Sequence, residues 1–126
     1  MSGLVLFQFF VLQAAALAGV QINDVRTDAQ IETDAQVDGC PLNLPEWMPD
    51  CRNVISVKPG ILWQRGRLEY LAFHEVCHIR QNDQYIWGQL DEKQRWKRHK
   101  VVESCVREIA GEERYWRMKA RYHLWD

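Results

Sequence analysis

Two histidines, His74 and His78, stand four positions apart in the stretch LEYLAFHEVCHIRQND, and Glu75 directly follows the first. In a helix, residues i and i+4 share a face, so the two imidazoles can be aimed at one point with Glu75 beside it. A hydrolytic zinc site needs that arrangement: the metal acidifies a water, and the carboxylate takes its proton as attack begins. Without a metal, each of these polar groups on so apolar a segment would need a hydrogen-bonding partner of its own. A catalytic zinc takes three protein ligands plus water, so the third must come from elsewhere in the chain.

The elements around the motif follow from periodicity. Leu68, Ala72, Val76 and Ile79 form one helical stripe, widened by Tyr70, Phe73 and Cys77, which predicts a buried helix from about Arg67 to Gln81. After the break at NDQYIWGQLDE, a second, long helix is expected from about Lys93 toward Arg121, with the stripe Val102, Cys105, Val106, Ile109 and Trp116. This helix offers Glu103, Glu108, Glu112, Glu113 and His99 as further ligands. Glu108 and Glu112 continue the line of Val101 and Cys105 at the border of the stripe and are expected to face the first helix. His99 and Glu103 share a line with Arg107 and Arg114, which reads as solvated. Ahead of both helices, Val54–Val57 and Ile61–Gln64 flank Lys58-Pro59-Gly60, a spacing that suits a hairpin. The expected class is α+β: a short hairpin or sheet followed by two packed helices carrying the metal ligands.

HEVCH, followed downstream by Glu108-Ile-Ala-Gly-Glu112, resembles the gluzincin group of zinc metallopeptidases over roughly residues 53–117. In that group the third ligand is a glutamate with a small residue at +3 and an acid at +4, although the acid is more often aspartate than glutamate. The resemblance implies a small zincin-like domain that binds zinc through His74, His78 and Glu108. Glu75 would be the general base, and Glu112 would orient a ligand histidine. It also implies hydrolysis of peptide bonds, as an endopeptidase or aminopeptidase, with the substrate backbone held by an edge strand that ILWQ could supply. Glu112, Glu113 and His99 remain alternative third ligands. Tyr115, on the line of Glu108 and Glu112, and His123 are candidate oxyanion stabilisers. A zinc-binding structural or interaction module without turnover is the alternative function.

The four cysteines allow three pairings. Cys40 and Cys51 bracket the Pro-rich loop CPLNLPEWMPDC, and Cys105 lies one turn before Glu108, so Cys40–Cys51 and Cys77–Cys105 are the expected disulfides. The second would clamp the two ligand-bearing helices together, whereas Cys77, about 100° around the helix from His78, should not share the metal.

Residues 1–18 are an uncharged apolar run ending in Ala16-Leu17-Ala18, a small-x-small pattern that reads as a secretory signal directing the chain out of the cell or into a periplasm. The run is also close to the roughly 20 residues of a membrane anchor, and a buried N-terminal helix is the plainer alternative. Residues 19–39 are expected to be an acidic flexible segment, repeating Thr-Asp-Ala-Gln at Thr27 and Thr33, and residues 40–126 the catalytic domain. At 126 residues and 47% hydrophobic composition the chain fits one domain and excludes a large multi-domain enzyme. Charge is divided unevenly. Before Cys51, Arg26 stands alone against seven acidic residues, leaving −6, while the other 15 basic and 10 acidic residues leave +5. The run KQRWKRHK belongs to no recognisable nucleic-acid module and reads as a solvated helix face, so no nucleic-acid partner is expected. The expected partner is a peptide or protein substrate met by a monomer, with N-terminal membrane association as a further possibility.

Overall fold

The computed structural model describes residues 1–124. In chain order the elements are α1 (Gly3–Ala18), β1 (Asp24–Thr27), β2 (Ala35–Val37), β3 (Val54–Val57), α2 (Arg65–Arg80), α3 (Glu92–Ala110) and α4 (Glu112–His123). The expected α+β class holds, with the helices gathered around α2 and a three-stranded mixed sheet beside it. No helix among the described residues is long and apolar enough to cross a membrane.

The acidic segment is a correction. Residues 19–39, expected to be flexible, supply two of the three strands: β1 runs parallel to β3, and β2 runs antiparallel to it, giving the order β1-β3-β2. Local hydrophobicity was a poor guide because these strands bury few side chains of their own; they are held by pairing with β3, whose four residues are all buried. Asp38 carries part of the register, accepting from Arg26 at 2.6 Å and from the buried Ser56 hydroxyl at 2.8 Å. Ile61–Gln64, expected to pair with Val54–Val57, does not. Pro59 instead opens a 3-10 helix over Pro59–Trp63, where its fixed φ is already helical, and Ile61 drops into the core.

Residues 1–18 form α1, capped by the Ser2 hydroxyl and closed by Gly19 in the left-handed region. Phe7, Val11, Ala14 and Ala15 fall on one face and are buried, chiefly against α2. The start of α1 lies so close to Leu62 that a Cβ on Gly3 would clash with the Leu62 carbonyl oxygen.

Two disulfides staple the fold as the spacing suggested: Cys40–Cys51 and Cys77–Cys105, with Cα separations of 5.5 and 5.9 Å. They fit an oxidising environment outside the reducing cytosol. The long second helix is corrected to two. Gly111, at φ 84° and ψ 158°, ends α3 and starts α4 in a conformation that essentially only glycine adopts. Trp116 therefore leaves the stripe it was assigned to and stands exposed, donating to Glu112 at 3.1 Å.

Candidate metal centre

α2 is buried almost all round, and its inner turns place His74 and His78 with their Nε2 atoms 3.1 Å apart. The third imidazole is His99 of α3; ligand atoms of the three histidines lie within 4.8 Å of one another. α3 is phased for this by a capping box, in which Asp91 accepts from the Gln94 backbone N–H at 2.8 Å and the Gln94 side chain accepts from the Asp91 N–H at 2.9 Å. The Cys77–Cys105 bridge then ties α3 to α2 beside the three rings.

Each α2 histidine is backed by a carboxylate. Asn82, at φ 60°, ends α2 and turns the chain back, so that buried Asp83 meets His78 Nδ1 at 2.8 Å. That contact places the proton of neutral His78 on Nδ1 and leaves the Nε2 lone pair facing inward. Arg98 Nη1 lies 3.2 Å from the other Asp83 oxygen as an ion pair without hydrogen-bond alignment, and also donates to the Gln81 carbonyl at 3.4 Å. Gln84 fixes the same turn to the Cys40–Cys51 loop and to the start of β3, accepting from the Cys40 N–H through its carbonyl and exchanging side-chain hydrogen bonds with Asn53.

Behind His74 stands Glu103, whose Oε1 is 3.7 Å from Nδ1. Tyr70 and Tyr115 both donate to Glu103, the latter at 2.6 Å, and Lys119 reaches it at 3.4 Å. Burial pushes the Glu103 carboxyl up, but His74, the two hydroxyls and the ammonium together outweigh it and hold it well below the ordinary range. The partners respond in the opposite sense: burial and the bond to Glu103 raise the Tyr70 hydroxyl and push Tyr115 up to about 12. His99 is lowered by burial first and then by His78 and His74. Trp87 packs edge-on against His78 and His99, both at 5.1 Å between ring centres.

Glu75 is buried on the same turn of α2. Burial raises its carboxyl, while the neighbouring imidazoles and the Val37 backbone N–H pull it back. The cleft in front of it, about 740 Å³, is lined on one side by α2, Trp87 and His99 and on the other by residues 32–37. Bonds from the Asp38 N–H to Val54 and from the Lys58 N–H to Asp34 commit the even residues of β2 to β3. Ala35 and Val37 consequently turn their backbone groups to the open edge that faces the cleft.

Of the residues the sequence singled out, His74, Glu75 and His78 converge, and His99, exposed as its line on the helix suggests, nonetheless brings its ring to them. Glu108, Glu112 and Tyr115 do not take their expected places. Glu108 has its side chain 69% exposed and pairs with Arg80 at 3.7 Å on the outer border of α3. Glu112 is past the Gly111 break and pairs with Arg107, and its neighbour Glu113 is also exposed. Tyr115 is buried but serves Glu103 rather than facing the cleft, and His123 is exposed near the end of α4. The strand lining the cleft is β2, not ILWQ. Asp83, Tyr70 and Trp87 carried no sequence signal beyond the Asn-Asp turn after the motif, and Glu103, offered as a ligand on the line that reads as solvated, instead stands behind His74. Comparison with protein-family models, curated proteins and solved structures finds no match.

The donor set fits a divalent ion of the zinc type. Three imidazoles converge, and the inward Nε2 lone pair of His78 meets His74 Nε2 at 3.1 Å. Two ring nitrogens at that separation need a proton or a cation between them, and three neutral ligands leave a fourth position for water or substrate.

Proposed function

We propose that this chain is a zinc-dependent hydrolase of peptide bonds, in which His74, His78 and His99 hold the ion and Glu75 is the general base. The observation that carries this reading is the convergence of the three imidazoles beside a buried carboxylate, in a cleft whose opposite wall is an open strand edge. Zinc bound there would supply Lewis acidity, lowering the pKa of water and polarising a carbonyl.

The chain's own residues do the rest. Asp83 fixes the His78 ring by accepting from Nδ1, and Glu103 is placed to do the same for His74. Glu75, held above the ordinary carboxyl range by burial, is a better proton acceptor near neutral pH than an exposed glutamate, and it lines the cleft from which a water would attack the substrate carbonyl. The outward N–H of Ala35 and C=O of Val37 can pair with an extended peptide as an added strand, and the Val37 N–H, already bonded to Glu75, sets that edge beside the base; this favours a polypeptide substrate over a small ester. The Thr33 hydroxyl already bonds the Ala35 carbonyl at 3.0 Å, so a substrate strand would compete there with a weak local bond.

Metal analysis of the purified chain alongside turnover of an unstructured casein tests the reading. Glu75→Gln should retain the zinc of the wild type and lose hydrolysis. Zinc binding with no cleavage by the wild type would leave a non-catalytic zinc module in its place, and absence of zinc would remove both.

A further inference from the structure

α1 carries no charge, and the first charged residue of the chain is Asp24. Its buried residues Phe7, Val11 and Ala14 lie on one side, and Met1, Val5, Phe9, Leu12 and Ala16 follow each other at helical spacing on the opposite side. That outer stripe is open: Phe9 is 51% and Leu12 61% exposed. A helix apolar on both faces, with one face in the core, leaves the other without a partner inside the molecule.

Two occupants can be set aside on geometry. α1 cannot cross a bilayer, because its inner face is built into the core and its 16 residues span only ~24 Å against the ~30 Å hydrocarbon thickness. A second copy of the chain is a poor fit as well. A stripe ~24 Å long and ~10 Å wide covers ~240 Å², well short of the ~800 Å² per partner of a stable interface.

The surroundings of the stripe favour a lipid surface. At its N-terminal end the 3-10 helix that packs on Gly3 ends in Trp63, 86% exposed, and the exposed Arg65 donates to the Met1 carbonyl at 2.5 Å. Toward the other end, Arg114 donates to Gln13 but is itself paired with the buried Glu69 at 3.0 Å, so the unburied cations on that side of α4 are the exposed Arg117 and Arg121 one and two turns on. An apolar stripe with an exposed tryptophan and arginine at one end and further arginines on the neighbouring helix has the composition of an interfacial helix, in which the rings sit at headgroup depth and the cations meet anionic lipid.

We propose that α1 is a retained in-plane membrane contact, lying flat on an anionic bilayer through Val5, Phe9 and Leu12 while its inner face stays in the core. This is independent of the metal reading. The full chain should sediment with vesicles of equal parts phosphatidylcholine and phosphatidylglycerol, and less with phosphatidylcholine alone. Phe9→Ser combined with Leu12→Ser, both at exposed positions, should weaken that partition at least about tenfold while leaving the thermal melt in place. The inference is overturned if the folded wild type stays in solution with the anionic vesicles. Equal sedimentation of the double variant overturns it too, as does light scattering that shows a dimer dissolved by the same changes. An intact mass showing the chain cut after Ala18 would likewise end it.

Discussion

The two borders of the α3 stripe make an instructive pair. One carries His99 and Glu103, the other Glu108 followed past the helix end by Glu112, and in sequence they are chemically alike: a ligand-type residue with a second polar group four positions on. In space they differ completely. His99 and Glu103 meet His74, Tyr70 and Tyr115 on the side of α2, whereas Glu108 and Glu112 form ion pairs with arginines at the surface. The difference teaches that an apolar stripe selects a face but not which of its edges the neighbouring helix covers. That is set by the crossing of the two helices and by where the bridge between Cys77 and Cys105 pins them.

The largest contrast is expected from deleting the ligand-type residue of each border in turn. His99→Ala should lower zinc affinity by more than about 100-fold, beyond what loss of an orienting group costs, while Glu108→Ala leaves it unchanged. Titration against a chromophoric chelator reads both, and the reverse ranking would restore Glu108 as the ligand. Next in size is the clamp: replacing Cys77 and Cys105 with alanine should cost about 2–4 kcal/mol of stability in denaturant unfolding, with zinc affinity falling in step if the clamp positions His99.

Glu103 sharpens the inner border further. Glu103→Gln should weaken zinc binding about 10- to 100-fold, and Glu112→Gln should not. The sign of its pH dependence also follows. Because the folded carboxyl is held below its ordinary value, its stabilising contribution is present above the unfolded pKa of about 4.3 and is lost as pH falls through the folded value. Wild type and Glu103→Gln should therefore differ in melting temperature at pH 7 and converge in acid. Gly111→Ala probes the break itself and should cost about 1–3 kcal/mol, since its backbone angles strain any side chain. The smallest effect is expected at Glu108→Gln, within about 0.5 kcal/mol in stability, because a surface pair with Arg80 contributes little.

Much of the fold was legible where a pattern is local. The stripe of α2, the strand Val54–Val57 and both disulfides follow from spacing, because helix and strand periodicity and loop closure act over a few residues. The hairpin failed because Pro59 suits a 3-10 turn as well as a β-turn, and only the burial of Ile61 separates them. The acidic segment failed because its strands exist by pairing with β3, a contact between residues some twenty to thirty positions apart that no local window contains. Residues 1–18 look alike in composition as signal, anchor or core helix, and the packing of Phe7, Val11 and Ala14 on α2 is likewise a contact between distant residues, outside any local window.

Helical periodicity is enough to put His74, Glu75 and His78 in one neighbourhood, because residues i and i+4 on a helix share a face. Only the tertiary structure decided what completes them. His99, Asp83, Glu103 and the edge of β2 arrive from a second helix, a reversed turn and a distant strand. Their positions depend on a helix crossing, on a left-handed Asn82 and on a sheet register, and each of these is settled by packing over the whole molecule rather than by the residues that end up in the site.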